Sequence, residues 1–140
     1  MDLLARREHS TGELRTKLRA RGFEDEEAVD FQLGRLHDEG LLSDERFVEA
    51  FVHGRRLRGQ GPLRISAELR ERAVPAALIE TYVDPREAAW AGGARDARRK
   101  RFGDEVPVDV AERARQARFL RYRGFTEDQI RVAFGRGDDL

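Results

Sequence analysis

The chain has 140 residues and a formal net charge of zero, because 27 Lys and Arg residues balance 27 Asp and Glu residues. The lack of cysteine excludes disulfide scaffolds, zinc–thiolate sites, iron–sulfur clusters and thiol catalysis, and it is typical of a cytoplasmic protein. No apolar run approaches the roughly 18 residues of a membrane span, and no secretory signal is recognisable, so we expect a soluble domain.

Charge is distributed unevenly along this neutral chain. Residues 1–54 hold 8 basic and 13 acidic side chains, a net charge of −5, whereas residues 55–140 hold 19 basic and 14 acidic side chains, a net charge of +5. The cations are arginines apart from Lys17 and Lys100. A GC-rich coding sequence would produce this skew, but arginine also offers a planar fork that binds carboxylates and phosphates.

The hydrophobic pattern is helical along nearly the whole chain. Leu14 and Leu18 are four residues apart, as are Phe47 and Phe51, which places each pair on one helix face. Apolar and polar residues nowhere alternate with period two over the length of a strand. With its caps and turn residues, the pattern predicts an all-α fold of nine helices, at about 2–8, 11–21, 25–39, 44–58, 62–73, 75–83, 85–102, 109–123 and 127–135.

Several helix starts carry recognisable capping signals. Ser10 with Glu13, and Thr126 with Gln129, each match a capping box, in which the hydroxyl and the third side chain bond each other's free backbone donors. Pro85 stands where the first turn of a helix tolerates proline, so we expect the seventh helix to begin there.

An internal repeat of 51 residues runs through three parts of the chain. Four columns of the repeat, that is, sets of equivalent residues in its three copies, share this spacing. They are Leu18, Leu69 and Leu120; Gly22, Ala73 and Gly124; Phe23, Val74 and Phe125; and Ala28, Ile79 and Ile130. The repeat predicts three tandem three-helix modules at 1–40, 41–83 and 84–140, stacked into an elongated array. We expect a monomer, whose shape suits an extended partner better than a small substrate.

Residue patterns for catalysis are missing. His9, His37 and His53 lack the spacing of a metal site, and Gly59–Pro62 lacks the remaining residues of a phosphate-binding loop. The pairs of adjacent acidic residues lie at predicted helix ends, where capping and the partial charges of the helix dipole explain their presence. The sequence therefore predicts a non-enzymatic protein with no catalytic residue, cofactor or metal.

Basic residues cluster at the ends of the fourth and seventh helices and along the eighth. A solvated charged face explains each cluster alone, but together they indicate an anionic partner, either nucleic-acid phosphates or an acidic protein surface. The candidate partner-binding residues are Arg55, Arg56, Arg58, Arg98, Arg99, Lys100, Arg101, Arg118 and Arg121.

The aromatic residues do not form a recognisable stacking platform. Five phenylalanines occupy apolar-periodic or turn positions and are predicted to pack in the core: Phe23, Phe47, Phe51, Phe119 and Phe125. Trp90 and Tyr122 are better suited to exposed contacts, although a role as an anchor between helices is favoured for each.

A set of short motifs follows in order along nearly the whole chain. They are Leu3–Ser10, Glu13–Phe23, Leu41–Phe47, Phe51–Val52, Gly61–Ile65, Glu68–Leu69, Arg123–Phe125 and Ile130. As an ordered set they resemble the RecX-type regulators of the bacterial recombinase RecA. Ala73 and Val74 depart from the family, in which glycine and an aliphatic residue are usual at this turn.

The resemblance implies tandem three-helix modules and a non-enzymatic regulator that lies in the groove of the RecA–DNA filament. Such binding restrains ATP hydrolysis, strand exchange and co-protease action on the SOS repressor. The charge distribution adds the hypothesis that the acidic first module faces protein, whereas the basic modules face acidic RecA surface or bound DNA. Two other functions stay open, a helical protein that binds DNA directly and a helical-repeat scaffold for another partner.

Overall fold

The computed structural model describes residues 8–23, 25–40 and 42–135. Within these ranges the chain forms helices and no strand, which confirms the all-α prediction. The helices are α1 (Thr11–Ala20), α2 (Glu26–Asp38), α3 (Asp44–Leu57), α4 (Pro62–Glu71), α5 (Ala76–Tyr82), α6 (Ala89–Phe102), α7 (Val110–Arg123) and α8 (Glu127–Ala133). The helix predicted at about 2–8 lies, apart from residue 8, outside the described residues.

The chain divides into two compact units. Unit 1 comprises Met1–Val52 and Glu68–Tyr82, and unit 2 comprises His53–Ala67 and Val83–Leu140. The module boundaries at 1–40, 41–83 and 84–140 stay a prediction. None of the described helices is long and apolar enough to cross a membrane.

Each unit has its own apolar core. In unit 1 the core joins one face of α1 to one face of α2 and consists of Leu14, Leu18, Val29, Leu33, Leu36 and Leu42. In unit 2 it joins α6, α7 and α8 and consists of Ala94, Leu120, Phe125, Ile130 and Ala133. In unit 1 the spacing of three and four residues within each helix places the core residues on one face, so α1 and α2 are amphipathic.

The 51-residue repeat corresponds to three equivalent helix ends. The helices α1, α4 and α7 each end in a left-handed residue, with φ of +95° at Gly22, +58° at Ala73 and +99° at Gly124. The next backbone N–H donates to the carbonyl five residues back, from Phe23 to Leu18 at 3.0 Å, from Val74 to Leu69 at 3.2 Å and from Phe125 to Leu120 at 3.2 Å. This is the Schellman arrangement, which satisfies carbonyls that a helix end would leave unpaired. Ala73 therefore adopts the same turn as the two glycines.

One column of the repeat is shifted by a residue in the first copy. Ala28 is exposed, and Val29 takes the buried position that Ile79 and Ile130 occupy in the other copies. The reason is that α2 begins at Glu26, one position later in the 51-residue register than α5 and α8.

The seventh predicted helix begins at Ala89 and not at Pro85. The Asp84 carboxylate accepts the backbone N–H of Arg86 at 3.0 Å, and the Asp84 carbonyl accepts the N–H of Glu87 at 3.1 Å. These bonds hold the segment after Asp84 in a turn, because a side-chain acceptor competes with helical bonding. The indole N–H of Trp90 also donates to the Asp84 carbonyl, at 2.8 Å.

The aromatic predictions are confirmed in part. Phe47, Phe125 and Trp90 are buried, so Trp90 is an internal anchor of unit 2. Phe23 and Tyr122 are 51% and 75% exposed, so the core position predicted for Phe23 and the anchor role favoured for Tyr122 are wrong. Phe23 completes its turn through its backbone N–H, which leaves the ring free to face solvent.

Candidate anion-binding cleft

A cleft of about 480 Å³ in unit 2 brings several predicted basic residues together. Its lining includes five cations, Arg56, Arg58, Lys100, Arg101 and Arg123. Asp96 is the one carboxylate residue in the lining, so the lining side chains carry five positive charges and one negative charge, a net of +4. The cleft therefore has the charge expected of a site for anions.

The ends of three helices supply these cations. Arg56 lies in the last turn of α3, and Arg58 directly follows that helix. Lys100 and Arg101 lie in the last turn of α6, and Arg123 ends α7. Each helix C-terminus carries about half a negative charge, so three ends offset roughly 1.5 charges. A positive charge of about 2.5 then remains in the cleft, more than the helix dipoles alone require.

Aromatic rings hold three of the guanidinium groups in place. The Arg56 guanidinium lies 3.9 Å from the centre of the buried Trp90 ring. Those of Arg101 and Arg123 lie 5.8 Å and 5.1 Å from the centre of the Phe119 ring. Stacking on a ring favours a cation and restricts its rotation, so these side chains are partly ordered before any ligand binds.

A close backbone junction places Arg123 beside Arg58. The N–H of Gly61 donates to the Arg123 carbonyl at 2.8 Å, and the N–H of Leu63 donates to the Gly124 carbonyl at 2.9 Å. The Arg123 guanidinium in turn donates to the Arg58 carbonyl at 3.3 Å. The start of α4 thus fixes the end of α7 at the rim of the cleft.

The cleft unites four of the nine candidate residues, Arg56, Arg58, Lys100 and Arg101. The other five do not line it. Arg99 and Arg118 are exposed elsewhere on unit 2, and Arg55 is half-buried. Arg121 is exposed, and its Nε pairs with Glu127 Oε1 at 2.5 Å.

Arg98 has an internal position and not the surface position predicted for it. The residue is 1% exposed, and its guanidinium donates to the carbonyls of Ala133 at 3.0 Å, Glu105 at 3.1 Å and Asp104 at 3.3 Å. Burial lowers the pKa of the Arg98 guanidinium below its ordinary value. Arg98 thus closes the loop after α6 against the end of α8 and is unavailable to a partner.

Sequence reasoning missed Arg123 and Phe119 as cleft residues. A signal for Arg123 was present, because Arg21, Arg72 and Arg123 share the 51-residue spacing of the repeat. In unit 1 the equivalent Arg72 lies 4.7 Å from the centre of the Phe51 ring, so a cation at this turn stacks on an aromatic ring in both units. Nothing in the spacing indicated which ring would lie beside Arg123.

In unit 1, two arginines of α1 form ion pairs with acidic side chains of α2. Arg15 pairs with Asp30 at 2.6 Å and Glu26 at 3.1 Å, and Arg19 pairs with Glu26 at 2.6 Å. Acidic α2 thus neutralises the arginines of α1. Among the described residues, no group of three or more His, Cys, Asp or Glu side chains could hold a metal ion.

Comparison with known proteins relates the chain to one family. Family models described as the first, second and third three-helix domains of RecX match residues 1–30, 43–82 and 93–134. Regulatory protein RecX of Halorhodospira halophila is 48% identical over 137 residues, covering 98% of this chain and 84% of the relative. The namesake from Pseudomonas fluorescens is 46% identical over 140 residues, covering 99% and 90%. The crystal structure of RecX from Lactobacillus salivarius matches the fold with a TM-score of 0.76 at 16% identity, covering 94% of this chain and 87% of that one.

Proposed function

The chain belongs to the RecX family of regulatory proteins, which is not an enzyme family, and from this premise we propose that it binds the recombinase RecA and the RecA–DNA filament. By binding, it restrains the recombinase, ATPase and SOS co-protease activities of RecA. It acts in the cytoplasm as a monomer, without catalytic chemistry or a cofactor of its own.

The observation that carries this proposal, beside the family, is the basic cleft of unit 2. Its cations lie in the part of the chain with a net charge of +5, whereas residues 1–54 have a net charge of −5. We assign the cleft to an anionic surface of the filament, either acidic RecA surface or bound DNA, and the acidic residues to a protein surface. A filament repeats its surfaces, so several weak contacts can add up to tight binding.

The salt dependence of filament binding tests this proposal. Each phosphate contact contributes a slope of about −0.9 to log K against log salt, so five cleft cations predict a slope near −4 to −5 if all of them engage phosphates. Co-sedimentation of the protein with RecA–DNA filaments from low to moderate salt measures this slope. An affinity that does not change with salt would contradict the assignment of the cleft.

Direct DNA binding is the second candidate function, because cations in the cleft can neutralise phosphates without any RecA present. The same titration with bare DNA separates the two. Binding to bare DNA that is as tight as binding to the RecA–DNA filament favours the direct role, whereas much tighter binding when RecA is present favours the regulator. A scaffold for a different partner would bind neither.

A further inference from the structure

The cleft of unit 2 has features that distinguish among possible anions. It is concave, with a volume of about 480 Å³, which falls within the range of small-molecule sites. A single guanidinium group can donate to both oxygens of one carboxylate, so a single acidic side chain does not require five cations around one cleft. A phosphate group has more acceptor oxygens to share among them.

Apolar and small residues accompany the cations. Leu57 is 71% exposed at the cleft, and the half-buried Phe119 ring lies beside Arg101 and Arg123. Gly93 and Ala97 also line the cleft, and they occupy little of its volume. Cations beside aromatic and apolar surface are the combination that binds nucleotides, whose phosphates need charge and whose bases need an apolar surface.

We propose that this cleft is a nucleotide site, in which Lys100, Arg101 and Arg123 hold a phosphate while Leu57 and Phe119 contact the base or sugar. The nucleotide is either free or part of a nucleic-acid strand. This inference rests on the proposed function and deepens it, because it names the ligand of the cleft and excludes an acidic peptide.

Two glycines of α6 provide a test that changes no charge. Gly93 lines the cleft, and a Cβ added there makes only an ordinary contact, 3.8 Å from Phe125 Cε1. Gly93→Leu therefore takes up cleft volume. Gly92 is exposed, does not line the cleft, and has open space for a Cβ, so Gly92→Leu is the matched control.

Lys100 and Arg99 provide a second pair, which keeps the test valid if Gly93→Leu does not fold. Both are exposed residues of α6, but only Lys100 lines the cleft. Lys100→Gln and Arg99→Gln each remove one positive charge. Binding by general electrostatic attraction would weaken equally in both variants, whereas binding in the cleft weakens only in Lys100→Gln.

The experiment measures binding of a short labelled oligothymidylate and of ATP to the full chain, without RecA, by fluorescence anisotropy and by calorimetry. We expect Gly93→Leu and Lys100→Gln to lose about tenfold or more in affinity, equivalent to about 1.4 kcal/mol, while the Gly92 and Arg99 variants stay within about threefold. Binding of ATP identifies a free nucleotide as a ligand, and binding of the oligonucleotide alone identifies a strand.

Three results would overturn the inference: no binding of either probe, equal weakening within each pair, or displacement of the probe by oligoglutamate as effective as by unlabelled nucleotide. Circular dichroism establishes that each variant is folded. Suppression of RecA's ATPase by the same variants is measured separately. If the wild-type chain suppresses the ATPase but binds no nucleotide, this inference is wrong and the proposed function stands.

Discussion

The backbone N–H of Gly61 donates to the carbonyl oxygen of Arg123 at 2.8 Å, so the residue before α4 directly contacts the residue that ends α7. A Cβ at Gly61 would lie 2.5 Å from the Gly124 carbonyl carbon, a distance that real side chains do not adopt. The junction therefore requires glycine at position 61. It also sets the position of Arg123 at the cleft.

Gly61→Ala is accordingly expected to destabilise the protein. The added methyl group forces α4 away from the end of α7, and such overpacking costs about 1–3 kcal/mol. Urea denaturation followed by circular dichroism measures the free energy of unfolding. Gly54→Ala is the control, because a Cβ at this helical position meets open space and should be neutral or stabilise by up to about 1 kcal/mol. Equal stability changes in the two variants would contradict the junction.

Ala73→Gly is expected to stabilise the protein. Ala73 has φ of +58°, a left-handed conformation that costs an L-residue about 1–2 kcal/mol and costs glycine almost nothing. After the entropy that glycine loses on folding, a net gain of roughly 0.5–1 kcal/mol remains. Thermal unfolding detects it as a higher midpoint. Ala77→Gly, inside α5, should lower the midpoint, so the same substitution has opposite signs at two nearby positions.

Replacing Arg98 by methionine tests its internal role. The variant keeps most of the side-chain volume but removes the donors to the carbonyls of Asp104, Glu105 and Ala133, and it breaks the buried bond to Ala133 without a replacement. We expect a loss of about 2–5 kcal/mol in the free energy of unfolding. Arg99→Met, at the exposed neighbour, should change it by less than about 0.5 kcal/mol. A small effect at both positions would show that Arg98 is dispensable for folding.

Glu112 is expected to titrate far below an ordinary glutamate. Hydrogen bonds from Arg115 and Gln116 lower the pKa of Glu112 to about 2. A lowered pKa stabilises the folded state above the unfolded value of 4.5, and this contribution is lost as the pH falls from there towards 2. Carbon-detected NMR titration measures the value directly. Arg115→Gln should raise the pKa of Glu112, whereas Arg118→Gln should not; no change in either variant would rule out the Arg115 contact as the cause.

Features set by neighbouring residues could be predicted from the sequence. Both capping boxes form, with Glu13 N–H donating to Ser10 Oγ at 3.0 Å and Gln129 N–H donating to Thr126 Oγ1 at 3.2 Å. Their partners lie three residues apart, so spacing alone identifies them. The repeated turns could be predicted for the same reason, because the hydrogen bond that closes each turn joins residues only five positions apart.

Features that depend on distant partners could not be predicted. The acceptors of Arg98 come from the loop after α6 and from the end of α8, so nothing in its basic cluster separated it from Arg99. The late start of α6 is an exception, because its cause is local: the Asp84 carboxylate accepts the N–H of Arg86, two residues on, and competes with helical bonding. In the cleft, the sequence indicated most of the cations but could not indicate that three helix ends bring them together around Phe119.

The most direct test of the central claim is the DNA-dependent ATPase of RecA, titrated with substoichiometric amounts of this protein. Suppression at ratios well below one copy per RecA is predicted, because a protein that binds the filament acts on many protomers at once. Exchange of Lys100 and Arg101 for glutamate should weaken the suppression, and Arg118→Glu, outside the cleft, should leave it nearly intact. An ATPase rate that is unchanged even at excess protein would contradict the account.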